Sequence, residues 1–450
     1  MFILESIVNF LNSILWGKNI LVVLLIFSGV FFTVKTNFVQ LRFLKHMVKL
    51  LTDKSNSDSE NLSPFQAFCI STATRVGAGN LAGVVSAISI GGAGSIFWMW
   101  VVAFLGSATA FVETTLAMIF REKDKTGHFY GGPCFFLKNG LGKKSWGVAF
   151  VITGIICWAG VLQVVSNSVT ESFNVAFNIS PMVISALLTL LAAIVIFGKT
   201  DKTAKVLDKV VPIMAVMYLV IVFFIIIKNF ALLPQVFSQI FSEAFGIRQG
   251  VGGTIGAIIM QGVKRGLFSN EAGTGSAPCA AASATVSHPV QQGLIQSLGV
   301  FVDTFIICTA TALVMLLTKA SVIDGLNGME LLQKSFNYHL GSTFGEIFVA
   351  IILFLFCFST LLGICFYGKV NVKFLTDKEF GQILFKIFAL SMIFIGGIQQ
   401  NFFMWNLADL GLGLMTIVNM MGILPLTGLA LGALKDYEHK LSVLKNKITI

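Results

Sequence analysis

The sequence predicts an all-α membrane protein with eleven transmembrane helices, and three observations carry that reading. Of the 450 residues, 56% are hydrophobic and 12% charged, against about 25% charged in soluble domains. The apolar residues fall in runs of about 20, the length a helix needs to cross bilayer hydrocarbon. No two-residue alternation recurs, as the strands of a membrane barrel would require. The net charge of +10 comes from basic residues placed between those runs rather than on one face with interleaved aromatics. That pattern belongs to membrane topology and argues against nucleic-acid binding.

The expected spans lie at about 19–36, 65–91, 94–120, 146–168, 181–198, 208–228, 251–282, 293–317, 342–366, 382–399 and 405–433. With the N-terminus outside, the cytoplasmic segments hold 22 lysines and arginines and the outside segments hold 5. That asymmetry sets the orientation, N-terminus out and C-terminus in. The chain divides into an extra first helix with a basic cytoplasmic linker (1–63), two blocks of five spans (64–230 and 231–434) and a cytoplasmic tail (435–450). Because five is odd, the two blocks enter the membrane from opposite sides, as in an inverted repeat.

Other classes of chemistry find little support. Even long connecting segments such as 37–63 and 318–341 are too short to bury a core of their own, which excludes an appended enzyme domain. The seven cysteines form no CxxC pair and the five histidines no HExxH motif, so neither a disulfide framework nor a metal cluster is expected. No GxxxxGK[ST] phosphate loop is present. Residues 1–17 carry Glu5 and lack a basic start, so the first span is expected to act as an uncleaved signal.

Two spans contain residues that lipid does not tolerate. The second reads STATRVGAGNLAG at 71–83, and the seventh reads FSNEAGTGSAP at 268–278. A helix that unwinds inside the membrane leaves N–H and C=O groups that lipid cannot satisfy. A small polar solute and a cation can satisfy them, through half-helix N-termini and freed carbonyls respectively. Gly77, Gly79, Gly273 and Gly275, beside asparagine and charge, are assigned to the breaks. Gly91, Gly92, Gly94, Gly106, Gly252, Gly253 and Gly256 read instead as helix-packing contacts. The ionisable residues inside spans include Arg75, Glu113, Lys264, Arg265, Glu271, Asp303 and Asp409. Such groups are costly in lipid and mark function. Arg75 and Glu271 are expected to pair with each other, or with Glu113 and Asp409, as gates. Asp303 is expected to face a cation, and Lys264 and Arg265 to line an aqueous path.

The chain resembles the alanine/glycine:cation symporters. The resemblance rests on RVGAGNLAGV (75–84), GGAGSIFWMWVVAFLGSATAFVETTLA (91–117), FYGGP (129–133), GLFSNEAGTGSAPCAAA (266–282), HPVQQGLIQSLGVFVDTFIICTATALV (288–314) and MWNLADL (404–410). It implies a fold similar to the bacterial leucine transporter, with one extra helix before a five-plus-five inverted repeat. It also implies sodium-coupled import of alanine, glycine or a similar neutral amino acid across the plasma membrane, the inner membrane in bacteria. Carried onto this sequence, Gly77, Gly79 and Asn80 would meet the substrate carboxylate. Phe268, Ser269 and Asn270 would receive the amino group and cap the side chain, with Gly273 beside them and Phe268 as a lid. For Na⁺, the resemblance implies the hydroxyls of Ser359 and Thr360 with the carbonyls of Ala73 and Val76. Asn80 would serve either the substrate or a second cation. The run GVLQVVSNSV (160–169) departs from the family pattern: aligned on Asn167, the expected glutamine position holds Val165. Gln163 stands two residues earlier, about 200° around the helix, and is the candidate in its place. Proton coupling, another small zwitterion or a channel are the alternatives to sodium-coupled import.

Overall fold

A computed structural model describes residues 2–52, 62–125, 127–198, 200–247, 254–341, 343–399 and 402–448. The chain opens with α1 (Phe2–Asn12), a π-helical turn Ser13–Gly17 and α2 (Ile20–Lys35). Two short helices follow, α3 (Val39–Arg42) and α4 (Leu44–Thr52). Next come α5 (Pro64–Arg75), a π-helical turn Gly79–Gly83, α6 (Val84–Gly91) and the continuous α7 (Gly94–Ile119). The antiparallel pair β1 (Glu122–Lys123) and β2 (Phe129–Tyr130) is a small exception to the expected all-α composition. Then come α8 (Pro133–Asn139), α9 (Lys144–Phe177), α10 (Pro181–Ile196), α11 (Thr200–Lys228) and α12 (Leu233–Ala244). A second broken pair is α13 (Ile255–Asn270) and α14 (Ala277–Ala281). Helix α15 (Pro289–Phe301) passes through a π-helical stretch Val302–Cys308 into α16 (Thr309–Leu316). The remainder is α17 (Ala320–Ile323), α18 (Gly328–Leu340), α19 (Phe344–Leu375), α20 (Glu379–Ile398) and α21 (Phe403–Ile448).

Among the described residues, seven helical runs are long and apolar enough to cross a bilayer, and an eighth counts if α1 and α2, bent by 43°, form one span. The other expected spans, at 65–91, 181–198 and 251–282, fold as broken or shorter helices. Residues 248–253, including the expected start of the seventh span and Gly252 and Gly253, lie outside the described residues. The expected separate tail after residue 434 instead continues α21, which runs to Ile448. Connecting segments read as loops also fold into helices: α18 buries Met329, Leu332 and Phe336 against the bundle.

Helix starts follow local chemistry. Ser63 caps α5 through a reciprocal pair with Gln66 (both bonds 3.1 Å), ahead of Pro64. Burial then sorts the helices. Along α11, Ile213, Val216, Val220, Phe223 and Ile227 recur every three or four residues and are each about 60% exposed. An apolar stripe of that size facing outward suits lipid, not water. In the interior, α9 packs on α19, α20 and α21, and α7 packs on α13, α15 and α2. One hydrophobic core runs from Trp16 to Tyr437, so helices of both expected blocks share it.

The packing glycines divide. A Cβ at Gly94 would strike the backbone of Glu243 and Ala244, and one at Gly106 would press on Ala272 at 2.9 Å. A Cβ at Gly91 would meet Gln261 at 2.9 Å, so these three are close-packing positions. Gly92 instead has φ 71° at the end of α6. Gly256 meets nothing within 4 Å, which corrects the expected packing role.

Candidate functional site

Both expected breaks are present and they touch. Helix α5 ends at Arg75, and Val76 leaves the helix at φ −77°, ψ 81°. Helix α13 ends at Asn270, and Glu271 turns left-handed at φ 56°. Gly273 (φ 90°) and Gly275 (φ 83°) carry the turn between α13 and α14, in backbone regions where a Cβ is strained. The first break lies on the second: a Cβ at Gly79 would sit 2.8 Å from Ser269 Cα and 3.3 Å from the Phe268 ring. Both this crossing and the neighbouring Asp303 lie on π-helical segments, which often mark functional sites.

The first break also redirects backbone hydrogen bonds. The Gly77 N–H donates to Asn80 Oδ1 at 2.9 Å rather than back along the helix. The Ala73 carbonyl, one turn earlier, instead accepts from Thr360 Oγ1 at 2.9 Å and from Ser359 Oγ at 3.4 Å. The same hydroxyls also donate back along α19 to the Phe356 carbonyl, at 3.0 and 2.8 Å. Thr360 presses so closely on Gly77 that no side chain fits there. Oxygens of α5 and α19 therefore converge beside the break, a donor set that suits a hard monovalent cation. Val76 is buried next to them.

A small cavity adjoins this point, with about 20 Å³ open to the centre of a water-sized sphere. That is room for one or two waters, so an amino acid enters only as the walls shift outward. Gly79, Phe268 and Thr360 line it, together with Thr74, Glu271 and Ser276, and the apolar wall includes Val161, Val165 and Leu412. Phe268 therefore sits where a lid is expected, with its ring 5.0 Å from Trp405.

Several expected substrate residues are engaged elsewhere. Asn80 Nδ2 donates to Asp303 Oδ1 at 2.7 Å, Ser269 Oγ to Asp303 Oδ2 at 2.8 Å, and Thr304 Oγ1 to the same oxygen at 3.0 Å. Asn270 donates to Thr304 Oγ1 at 3.2 Å and accepts from the Ala272 N–H at 3.0 Å. Gly273 is held by polar partners: its N–H donates to Glu113 Oε1 at 3.2 Å, and its carbonyl accepts from Asn419 at 2.9 Å. Asn419 also donates to Glu113 Oε2 at 2.7 Å. Gln163 is turned from the cavity, donating to the Ala159 carbonyl at 3.0 Å and contacting the Met392 sulfur on α20. Val161 and Val165 take the cavity side of α9, because a two-residue step on a helix reverses the face.

The expected gate pairs are corrected. Among the described residues, Arg75 has no carboxylate within 4.0 Å; Nη1 donates to the Gln296 carbonyl at 3.3 Å, while Nε and Nη2 are buried without a partner. Asp409 pairs with Lys264 at 2.7 Å and, through two 3.3 Å bonds, with Arg265. These basic residues therefore close a buried ion pair rather than line an open path. Arg265 stacks 4.4 Å from the Trp405 ring, and Trp16 donates to the Asp409 carbonyl at 3.1 Å. Phe268, Trp405, Arg265 and Asp409 thus form a continuous stack on the cavity. Sequence reasoning missed Trp405 and Asn419. The MWNLADL stretch was a signal for the former; nothing marked Asn419 apart from any other span asparagine.

Two broken helices around a buried cavity, inside a bundle with a lipid-facing rim, define a multi-pass membrane carrier. The chain belongs to the sodium:alanine symporter family, whose sequence profile matches residues 1–449. Family membership makes it a transporter and not an enzyme. It is 44% identical to the probable sodium/glutamine symporter GlnT of Bacillus subtilis over 440 residues, covering 97% of this chain and 91% of that one. It is 38% identical to the sodium/alanine symporter AgcS of Methanococcus maripaludis over 444 residues, covering 96% and 97%. In fold it is similar to a manganese transporter of Eremococcus coleocola, with a TM-score of 0.54 at 11% identity over 84% of this chain and 82% of that one.

Proposed function

We propose that this protein is a sodium-coupled symporter that imports a small neutral amino acid, alanine or glycine, by alternating access. The observation that carries the reading is the meeting of the α5 and α13 breaks at a cavity, with the Ala73 carbonyl turned to the Ser359 and Thr360 hydroxyls. Sodium would bind at that oxygen cluster, and the amino acid would bind in the cavity lined by Gly79 and Phe268. In this reading eleven spans form one extra helix and two inverted five-helix blocks, and one bundle built around the second and seventh spans rocks against the rest about the site. The Phe268–Trp405–Arg265–Asp409 stack would gate one side. The lysine and arginine asymmetry supports a plasma-membrane orientation with the N-terminus outside. Inward sodium movement supplies about 2.3 kcal/mol per charge per 100 mV, plus its concentration gradient.

The identity to a probable sodium/glutamine symporter favours a second reading, with glutamine as substrate. The bulky Phe268 ring on the cavity wall favours alanine or glycine. Purified protein in liposomes, given labelled alanine with and without an inward Na⁺ gradient, tests the coupling. Uptake that is equal in both would remove sodium, and uptake that follows an imposed pH gradient would put protons in its place. Competition by a panel of amino acids, glutamine and both alanine enantiomers included, settles the substrate.

A further inference from the structure

We propose that Glu271 is the counter-ion for the substrate's ammonium group, so that the cavity selects α-amino acids over their deaminated analogues. The proposal rests on the cavity being the substrate site. Among the described residues lining that cavity, Glu271 is the charged one. The other polar side chains on its wall, Thr74, Ser276 and Thr360, are neutral hydroxyls.

Three interior carboxylates lie near the breaks, and their hydrogen bonding separates them. Asp303 accepts from Asn80, Ser269 and Thr304. Glu113 accepts from the Gly273 N–H and from Asn419. Among the described residues, Glu271 has a single long bond, from Thr74 Oγ1 at 3.4 Å. That hydroxyl is already closely engaged with the Ser71 carbonyl at 2.8 Å and the Tyr367 hydroxyl at 2.7 Å. The Glu271 carboxylate thus keeps acceptor capacity, and it opens on the cavity. A buried carboxylate with so few donors is costly in its charged form, and either a proton or a cationic partner relieves that cost.

The electrostatic setting favours such a partner. Arg75 is the cation whose charge bears on all three carboxylates, yet it forms no ion pair with any of them within 4.0 Å among the described residues. One arginine serves three carboxylates at the breaks, so an ammonium entering the cavity meets in Glu271 an acceptor that has no ion-pair partner among the described residues. Ser269 and Asn270, the other candidates for the amino group, already serve Asp303 and Thr304. Glu271 turns the backbone at the end of α13, with φ 56° and its N–H donating to the Leu267 carbonyl, and the residue lines the cavity.

The test is equilibrium binding of labelled alanine to the purified protein in saturating Na⁺, with unlabelled alanine or lactate as competitor, for the parent protein, Glu271→Gln, Glu271→Asp and Val165→Phe. The expected result is a loss of alanine affinity of about tenfold to a hundredfold in Glu271→Gln, the worth of a charge-assisted bond. Lactate should change little, so the preference for alanine over lactate narrows, and Glu271→Asp should recover part of it. A Glu271→Gln protein that binds alanine like the parent overturns the proposal. So does one that loses alanine and lactate in equal proportion, which would mark a structural role, or one that loses only the pH dependence of uptake. Val165→Phe fills the cavity and isolates the underlying reading: if it binds alanine normally, the cavity is not the substrate site. If it abolishes binding while Glu271→Gln binds like the parent, the counter-ion proposal alone fails.

Discussion

Removing the two hydroxyls of α19 isolates the sodium proposal. The break at Val76–Gly77 sends the Gly77 N–H to Asn80, and the Ala73 carbonyl takes hydroxyl partners from Thr360 (2.9 Å) and Ser359 (3.4 Å) in its place. If these oxygens bind Na⁺, Ser359→Ala with Thr360→Ala removes two ligands and leaves the carbonyl facing apolar carbon. Each lost oxygen contact in a buried site is worth about 1–1.5 kcal/mol, so the pair costs about 2–3 kcal/mol. At 1.4 kcal/mol per tenfold, the half-saturating Na⁺ concentration should rise roughly 30- to 140-fold. The single changes should rank by distance: Thr360→Ala should shift Na⁺ more than Ser359→Ala, whose bond to Ala73 is at the limit of hydrogen bonding. The assay is labelled alanine uptake into liposomes across a range of external Na⁺ at fixed membrane potential. At saturating Na⁺ the double variant should recover most of its transport. Unchanged Na⁺ activation in a folded double variant would refute the reasoning and return the two hydroxyls to ordinary helix back-bonding with Phe356.

Three further outcomes follow from the geometry. Asp409→Ala leaves Lys264 and Arg265 buried without their anion, which costs about 3–5 kcal/mol; thermal unfolding in detergent should show a large loss, and Lys264→Met, which keeps the Arg265 pair, a smaller one. Phe268→Ala removes the ring that packs on Trp405 at 5.0 Å, so competition assays should admit larger amino acids; an unaltered substrate range would remove the lid role. Gly275→Ala places a Cβ at φ 83° against Pro133 and Asn419, costing about 1–2 kcal/mol from the backbone alone and lowering both thermal stability and uptake, whereas Gly256→Ala, which meets nothing within 4 Å, should be neutral.

The two breaks were legible because their cause is local. Glycine, asparagine and charge inside an apolar run cannot sit in lipid as continuous helix, and STATRVGAGNLAG and FSNEAGTGSAP say so without any neighbour. The family resemblance named Ser359 and Thr360 together with Ala73, and the structure places both hydroxyls on the Ala73 carbonyl. The partners of the buried charges were not legible. Arg75 and Glu271 flank the breaks in sequence but form no ion pair, while Asp409 joins Lys264 and Arg265 across about 144 residues. Gln163 was chosen for its amide, and its face of α9 turned out to be the wrong one.

What the sequence determined alone was the solvent, the helical class and the places where the backbone must leave the helix. Those are decided by composition, by run length and by residues whose cost in hydrocarbon is independent of their surroundings. Tertiary structure decided which side chain faces which: the turn of α9 that put Val165 rather than Gln163 at the cavity, the α21 partners Asp409 and Asn419, and the Glu271 carboxylate left with one long bond. The physical reason is that a side chain's partner depends on helix rotation and crossing. Both are fixed by packing between helices far apart in the chain, so no local window of sequence contains them.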